Sequence, residues 1–571
     1  MNIELYIQAI LSLVGGLGLF LLGMKKLSDG LQTIAGPSLK RLIAAVTGNR
    51  FMAVGVGLTV TTVIQSSSIT TALVVGFVNS GIMTLTQSIG VIMGANIGTT
   101  ITGWILVLKV GKYGLPLAGA AAMVYIFGKR DFTRYLAMTL MGLGFVFLGL
   151  EIMKDGLAPL RDVPQFKAWF HAFQADSYLG VLKCALVGCI LTMIVQSSSA
   201  TLGITIAMAS QGIIPFETAA ALVLGENIGT TITALLAGLG GNVNARRASW
   251  FHSIFNILGA LWVTALFPVY LHLVEWIVAT FLGVPEVRAM APAGSSELFP
   301  VVVTGIATVH TLFNITNTLI FLPFTGHFGR LLARLGKDEP TNDAPSQRIA
   351  RLDDASLESP FAALEQVEHQ LEHMGKDLTS MMAQLRTSIE TPANAKILGR
   401  PIFAAETRFD TLQHEITAFL TSLLSRQVGQ TFASEAQAQL RICDELESVS
   451  DYITQILKLQ LRVQENGVTF DPDHRESLLN LHDKVAELVG ISAKYMSHPT
   501  DPYLAEDLQN RCQEINALVR TYRNEHWKSL ADRTTSPLLA TCYSDILVSY
   551  RKIKEHMHAV TEAVESTSMG T

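Results

Sequence analysis

Long runs without a charged residue fill much of the first 335 positions of this chain of 571 residues. The runs cover residues 5–24, 51–108, 184–216, 248–274 and 298–329. A helix needs about 20 consecutive apolar residues to cross the hydrocarbon core of a bilayer, and several runs exceed that length. Because a helix satisfies its own backbone hydrogen bonds, it is the spanning structure that such runs favour. The runs therefore predict a polytopic, all-α membrane domain over residues 1–335.

Charged residues are divided unevenly along the chain. Of its 42 Lys and Arg and 47 Asp and Glu residues, 19 and 12 lie within 1–335, so the later part is both more charged and acidic. The acidic excess argues against nucleic acid as a partner. The first apolar run has no basic segment before it and no small-residue cleavage site after it, so we expect it to stay as a membrane helix.

The later part of the chain has the pattern of a water-soluble domain. Residues 336–360 are rich in Pro, Asp, Asn and Ser, which predicts a linker. Apolar residues then recur at spacings of three and four, for example from Leu364 to Leu385 and from Ile546 to Val560. This spacing is typical of amphipathic helices. About six such segments can be drawn over 361–571, which favours a pair of three-helix bundles.

The common signatures of enzymes are absent from the sequence. The five cysteines include no CxxC pair, which argues against a disulfide framework or a structural zinc site. No GxxxxGK[ST], GxGxxG, GxSxG or HExxH motif occurs. The few polar residues of the membrane part also do not supply a set of nucleophile, base and acid. We therefore expect a protein that is not an enzyme and requires no cofactor.

An internal repeat organises the membrane part. Residues 65–102 align with residues 196–233 at a constant offset of 131 without a gap, and 15 of the 38 positions are identical. The identities concentrate in two motifs, QSSS at 65–68 and 196–199 and NIGTTIT at 96–102 and 227–233. A second similarity precedes each copy, where 16–31 resembles 142–157. We place the repeats at about 13–110 and 140–240, with further helices over 248–326.

Paired repeats in a membrane domain are typical of transporters, which form one substrate site where the two halves meet. Only about 30 residues separate QSSS from NIGTT in each copy. A Gly- or Pro-containing break lies between the motifs, at 79–81 and at 211–215. This arrangement predicts a broken helix or a re-entrant hairpin in each half.

The QSSS motifs are the strongest candidates for an anion site. One interpretation is that the hydroxyl groups bond back to their own helix or permit close helix packing. The other is that each motif lies where a helix begins, so that serine caps and free backbone N–H groups point toward the middle of the membrane. Two such helix ends would hold phosphate or sulfate without an Arg. The occurrence of two motifs in register favours the second interpretation.

The NIGTT motifs offer hydroxyl and amide oxygens beside a glycine, as hard-cation sites do, although a helix-packing motif is the alternative. Glu226 has no counterpart in the first copy, where Ala95 stands. It is either a cation ligand or protonatable carboxyl, or a loop residue at the membrane edge paired with Arg246 or Arg247. A further repeated pattern, HxxFN at 252–256 and 310–314, favours a helix-packing hydrogen bond over a proton relay.

The ordered motifs QSSS, GANIGTT (94–100), QSSS, GENIGTT (225–231) and HxxFN closely resemble the type II sodium-phosphate cotransporter family over about residues 13–324. The resemblance implies an inverted-repeat transporter with two re-entrant hairpins. It implies that phosphate is bound by Gln65, Ser66, Ser67, Ser68, Gln196, Ser197, Ser198 and Ser199. The residues assigned to sodium are Thr70, Asn96, Thr99, Thr100, Thr201, Glu226, Asn227, Thr230 and Thr231.

The soluble part resembles PhoU, a helical regulator of phosphate uptake whose ExxxD motifs bind metal ions. Glu406 with Asp410, and Glu447 with Asp451, match that motif in the first bundle. The spacing places each pair on one helix face, although acidic residues at this spacing are commonly just solvated. The second bundle departs from the motif. The resemblance therefore implies a divalent metal in the first bundle only.

Together these observations predict a sodium-dependent transporter of inorganic phosphate in a bacterial inner membrane, with a cytoplasmic PhoU-like domain at 361–571. Arg330 and Arg334, after the last apolar run, agree with a cytoplasmic C-terminus. A phosphate exporter and a membrane-anchored phosphate sensor are the alternatives. The expected partners are phosphate, sodium and the lipid bilayer, with a second copy of the chain and a regulatory protein at the soluble domain as further candidates.

Overall fold

The structure is a computed structural model. It describes residues 3–44, 49–80, 83–108, 111–163, 174–239, 241–283, 286–291, 297–334, 352, 356–357, 359–391, 395–426, 428–497, 502–531 and 536–568. All regular structure in these residues is helical. The chain divides into two compact units, Met1–Thr341 and Asn342–Thr571. The predicted linker at 336–360 lies mostly outside the described residues.

The membrane unit contains fourteen α-helices in its described residues. The first seven are α1 (Ile3–Ala44), α2 (Arg50–Ile64), α3 (Ser67–Ser80), α4 (Leu85–Val107), α5 (Gly114–Phe127), α6 (Asp131–Leu157) and α7 (Tyr178–Val195). The others are α8 (Ser198–Ser210), α9 (Phe216–Gly229), α10 (Thr231–Leu239), α11 (Val243–Ala265), α12 (Phe267–Phe281), α13 (Val302–Phe321) and α14 (Thr325–Arg334). Six helical segments of the described residues are long and apolar enough to cross a membrane, or seven if the bent pair of α11 and α12 is one span. The prediction of a polytopic helical membrane protein is confirmed.

Helices α1 and α6 pack against each other in opposite directions. A Cβ atom added at Gly16 would lie 2.7 Å from the carbonyl oxygen of Gly149, and one at Gly23 would lie 2.7 Å from that of Gly142. Residue numbers thus rise along one helix as they fall along the other, which makes the pair antiparallel. Because a side chain would not fit at these points, the two backbones touch directly, as in other membrane helix pairs with small residues at the interface.

A second kind of close packing occurs twice. The backbones of α2 and α4 meet at Gly57 and Gly94, and those of α7 and α9 meet at Gly188 and Gly225. In all four cases an added Cβ would overlap a carbonyl oxygen of the facing helix, and the overlapped residues are themselves related by the offset of 131. The repeat therefore extends upstream of QSSS in three dimensions, although identical residues are sparse there.

The uncharged run at 248–274 does not form one straight helix. Helix α11 ends at Ala265 and α12 begins at Phe267, with an angle of 90° between them. Pro268 lies in the first turn of α12, where its missing N–H costs no hydrogen bond. The apolar composition of this run is continuous, so hydropathy alone does not reveal the turn.

The soluble unit consists of six long helices and one short one in its described residues. These are α15 (Pro360–Glu390), α16 (Ala395–Leu398), α17 (Arg400–Leu424), α18 (Gln430–Glu465), α19 (Pro472–Ser497), α20 (Pro502–Ala531) and α21 (Pro537–Ser568). Helices α15, α17 and α18 pack together, as do α19, α20 and α21, and α18 also packs along α21. The apolar stripe predicted from Leu364 to Leu385 is buried, as the spacing of three and four requires.

Candidate functional site

Each QSSS motif begins at the end of one helix and leads into the next. Gln65 and Gln196 have φ angles of 58° and 55°, and they are the two non-glycine residues with positive φ in the described chain. Their backbone N–H groups donate to the carbonyl oxygens of Thr61 and Thr192, both at 2.7 Å. This left-handed conformation closes α2 and α7. The predicted helix break at QSSS is confirmed.

The serines that follow start α3 and α8. The Ser66 hydroxyl accepts from the N–H of Ile69 at 3.3 Å, and the Ser197 hydroxyl accepts from the N–H of Ala200 at 3.2 Å. These are N-cap bonds, and the remaining N–H groups of the first turn carry the positive end of the helix dipole. Ser67 and Ser199 are buried and the other four serines are partly exposed.

The two glutamines differ in their surroundings. Gln65 is buried and its side-chain oxygen accepts a hydrogen bond from Thr102 at 3.3 Å, which links the first QSSS motif to the first NIGTTIT motif. Gln196 is exposed, and the residue equivalent to Thr102, Thr233, donates to the carbonyl oxygen of Thr230 instead. The two halves are therefore not identical at the residue that opens the motif.

The threonines assigned to sodium donate to their own helices. The hydroxyls of Thr70 and Thr201 bond to the carbonyl oxygens four residues earlier, at 2.9 and 3.2 Å. Four further hydroxyls donate to carbonyl oxygens three or four residues earlier, those of Thr99, Thr100, Thr230 and Thr231. Such a bond uses the hydroxyl hydrogen and leaves oxygen lone pairs. These threonine hydroxyls are therefore donors to nearby carbonyl groups, and their oxygens keep their capacity as acceptors.

The HxxFN helices contact the asparagines of the two NIGTT motifs. His252 Nε2 of α11 lies 3.4 Å from Asn96 Oδ1 of α4. In the second half, Asn314 Nδ2 of α13 donates to Asn227 Oδ1 of α9 at 3.2 Å. These contacts support a helix-packing hydrogen bond for HxxFN. Helix α13 also packs on α4, where the Thr318 hydroxyl donates to the carbonyl oxygen of Met93 at 3.4 Å.

Residues just before the same two helices contact the C-terminal ends of α3 and α8. Where α3 ends, Asn79 Oδ1 accepts from the backbone N–H of Asn242 at 2.7 Å, just before α11. Where α8 ends, the carbonyl oxygen of Ser210 accepts from the N–H groups of Leu298 and Phe299, shortly before α13. Asn79 and Ser210 are equivalent positions of the repeat. These contacts join residues far apart in the sequence, and their single signal in it is Asn242 as an N-cap before an apolar run.

Glu226 lies inside α9 with 1 % of its surface exposed. Neither carboxylate oxygen has a hydrogen-bond partner among the described residues. Arg247 instead donates to Asn244 and to the carbonyl oxygen of Ala333. The alternative of a loop residue at the membrane edge, paired with an arginine, is therefore wrong. A buried carboxyl group without a partner requires either a proton or a bound cation.

The two halves also contact each other close to these motifs. Gly103, one residue after the first NIGTTIT motif, faces Leu202 of α8 and Ala307 of α13. Its neighbour Trp104 donates from Nε1 to the Thr311 hydroxyl at 2.8 Å. The helix that follows the second QSSS motif thus packs beside the helix that carries the first NIGTT motif.

In the soluble unit, the predicted acidic residues converge in part. Ligand oxygens of Asp410, Glu447 and Asp451 lie within 4.8 Å of one another, and Glu406 is not in this group. Burial, followed by the charge of neighbouring carboxylates, raises the pKa of Glu447 and of Asp451. Three carboxylates at this distance could hold a hard divalent cation, since oxygen ligands suit such ions.

The fold and these motifs define a polytopic helical membrane transport protein rather than an enzyme. The sequence profile described as Na+/Pi-cotransporter matches residues 19–155 and 164–281, which hold both QSSS and both NIGTT motifs. The membrane part of the chain is therefore similar to this family over both of its repeats. The predicted resemblance is confirmed for this part.

Relatives from bacteria and animals support the assignment. "Uncharacterized protein YqeW" of Bacillus subtilis is 28 % identical over 313 residues, which is 55 % of this chain and 94 % of the relative. "Putative inorganic phosphate export protein YjbB" of Escherichia coli is 25 % identical over 451 residues, 78 % of this chain and 76 % of the relative. Human "Sodium-dependent phosphate transport protein 2B" is 35 % identical over 141 residues, 24 % of this chain and 19 % of the relative. No solved structure matches the chain.

Proposed function

We propose that this protein transports inorganic phosphate across the bacterial inner membrane together with sodium. The observation that carries the proposal is the pair of helix breaks at Gln65 and Gln196, each followed by a serine-capped helix N-terminus within the membrane unit. Phosphate is an oxyanion, and backbone N–H groups at helix N-termini bind such anions. The substrate ligands would be the side chains and N–H groups of 65–68 and 196–199.

Sodium would bind beside these helix ends. The oxygens of the NIGTT threonines remain able to accept, and Glu226 offers two carboxylate oxygens without a protein partner among the described residues. A positive ion there would offset the charge of the bound phosphate. Linkage then requires that sodium raise the affinity for phosphate and that phosphate raise the affinity for sodium by the same factor.

Alternating access would come from movement of the two repeats relative to each other. The backbone contacts at Gly57 and Gly188 tie α2 to α4 and α7 to α9, so each pair would move as a unit. The antiparallel packing of α1 and α6, which are equivalent in sequence, supports an inverted arrangement of the repeats. We propose that the hairpin ends at Asn79 and Ser210 follow α11 and α13 during this movement.

Export of phosphate is the second candidate for the direction of transport. The observation in its favour is the similarity to the E. coli relative named for phosphate export, which extends over 78 % of this chain. The same site would serve either direction, because the ion and phosphate gradients decide the net flux. Regulation by the soluble unit, proposed to be cytoplasmic and PhoU-like, would accompany both candidates.

Phosphate flux into proteoliposomes tests the proposal. We expect uptake of radiolabelled phosphate by purified protein to follow an imposed sodium gradient, and to fail with a potassium gradient. A Ser67→Ala and Ser198→Ala double variant removes two hydroxyls from the proposed site and should lose most of the uptake. Sodium-independent flux would contradict symport. No flux with either ion, in protein with the helical content and monodispersity of a folded preparation, would favour the sensor.

A further inference from the structure

Helix α15 carries a pattern that the sequence motifs considered above did not include. Residues 369–373 read His-Gln-Leu-Glu-His, which is an H-x-x-E-H motif. In one class of metallopeptidases this order, on a helix, supplies two zinc-binding histidines. Histidines four residues apart lie on the same helix face, so both rings can reach one ion.

The two imidazole rings meet edge to face at their Nε2 atoms. The His369 and His373 Nε2 atoms lie 3.0 Å apart, with ring centroids 4.5 Å apart and an angle of 83° between the rings. Zinc binds histidine nitrogen at about 2.0–2.1 Å in tetrahedral geometry, which requires two ligand nitrogens about 3.3 Å apart. A change of a few tenths of an ångström would therefore admit an ion between them.

The outer nitrogen of His369 faces a carboxylate. Glu372 Oε2 lies 3.8 Å from His369 Nδ1, and the two side chains are 25 % and 16 % exposed. Metal-binding histidines usually donate their second N–H to such a group, which fixes the ring and directs the other nitrogen to the metal. The partial exposure leaves room for water to complete the coordination sphere.

We propose that His369 and His373 bind a divalent transition metal of the zinc class, and that Glu372 orients His369 for this purpose. Nitrogen ligands select zinc, cobalt or nickel over magnesium and calcium, whereas the oxygen group of Asp410, Glu447 and Asp451 has the opposite preference. The two sites can therefore be distinguished by the choice of ion.

A second pair of histidines must be separated from this one. His474 Nε2 lies 3.1 Å from His526 Nδ1, between α19 and α20. The outer nitrogens of that pair face Asp471 and the carbonyl oxygen of Ala540. If His474 Nδ1 and His526 Nε2 both donate to these groups, one proton shared between His474 Nε2 and His526 Nδ1 completes the hydrogen bonds of this pair. The experiment therefore includes variants of both pairs.

The test is a cobalt titration of the full-length protein in detergent, purified without a histidine tag and freed of metal. Cobalt binding is followed by its visible absorption, and zinc is added afterwards as a competitor. We expect one site that zinc displaces, and its loss in the His369→Gln and His373→Gln double variant. Glu372→Gln should weaken cobalt binding by about 10- to 100-fold, the usual effect of removing an orienting carboxylate. His373→Cys should retain the site because a thiolate is also a ligand for these metals.

His558→Gln is the matched control, since His558 is an exposed histidine of α21 with Glu562 four residues away. It should bind cobalt as the unaltered protein does. The proposal is overturned if the double variant keeps the site, or if the His474→Gln and His526→Gln variant alone removes it. Helical content measured on each variant verifies folding, which matters most for His369 because its side chain is only 16 % exposed.

Discussion

A Cβ atom added at Gly57 would overlap the carbonyl oxygen of Val91, so α2 and α4 touch through their backbones at this point. We expect Gly57→Ala to push the helices apart and to destabilise the protein by about 1–3 kcal/mol, the usual cost of overpacking. Gly55 is the control on the same helix, because nothing lies within 4 Å of its added Cβ. Gly55→Ala should be neutral or slightly stabilising. Thermal unfolding in detergent measures both, and equal midpoints for the two variants would contradict the packing.

Glu226 provides the second prediction. Glu226→Gln keeps the size of the side chain and removes its charge, so a cation that the carboxylate binds should be held less well. We expect the sodium concentration for half-maximal uptake to rise by about tenfold or more, which corresponds to about 1.4 kcal/mol. Glu217→Gln on the same helix is the control, since Glu217 is more exposed and pairs with Arg288 at 2.7 Å. Unchanged uptake, sodium dependence and pH profile in Glu226→Gln would rule out the ligand role.

The acidic group of the soluble unit gives a prediction on metal and pH. The raised pKa values of Glu447 and Asp451 mean that the folded state binds more protons than the unfolded state just above the usual carboxyl range. Without metal, the contribution of these groups to stability therefore falls as pH rises through their folded-state pKa values. Asp451→Asn should reduce this fall. Hydrogen exchange of α17 and α18 peptides at several pH values measures it.

Manganese or magnesium should protect the same peptides. At 100 times its Kd, a bound ion stabilises the folded state by about 2.7 kcal/mol, and Asp451→Asn should abolish that gain. Glu406→Gln is a discriminating control, because Glu406 belongs to the sequence motif and lies outside the group of three. Loss of the metal effect in Glu406→Gln would show that the motif describes the site better than the observed grouping.

The burial of His482 predicts that the bundle of α19, α20 and α21 is destabilised by acid. Its side chain is fully buried, Nδ1 lies 2.9 Å from the Tyr550 hydroxyl, and burial lowers the pKa of His482 to about 4. The unfolded state, with a pKa near 6.5, binds the proton more readily, so stability is lost as pH falls from about 6.5 toward 4. His482→Gln should reduce that loss, measured by hydrogen exchange of α19 and α21. His558→Gln should leave the pH dependence unchanged, and the same response in both variants would refute the assignment.

Much of the fold could be predicted because apolar runs and helical periodicity are local properties of the sequence. The breaks at Gln65 and Gln196 could also be predicted, since two polar clusters in register within apolar runs are costly unless they end helices. The right-angled turn between α11 and α12 could not be predicted, because an apolar run indicates that its residues avoid water and does not indicate the direction of the helix axis. The position of Glu226 was left open for a related reason, since its surroundings come from the packing of α9.

Contacts between distant residues account for what the sequence did not reveal. Lys154 is buried in α6 and forms an ion pair with Glu297, 143 positions later. Neither residue belongs to a motif, and each has several oppositely charged residues nearer in the sequence that could be its ion-pair partner. The glycine contacts at Gly57 and Gly188 could not be predicted either. Close approach of two helix backbones requires a small residue only at the point of contact, so no longer sequence pattern marks it.

The antiparallel contact of α1 and α6 is symmetric with respect to the sequence repeat. Gly16 is equivalent to Gly142 in the repeat, and Gly23 is equivalent to Gly149. Gly16 contacts Gly149 and Gly23 contacts Gly142, so the two contacts are equivalent to each other. Such a contact is self-complementary, in the way of two-fold symmetric dimers. The equivalence does not extend to every residue of the two helices. Ser28 bonds to the carbonyl oxygen of Ile64, whereas its equivalent, Lys154, forms an ion pair, so each helix is tied to a different part of the unit beyond the contact they share.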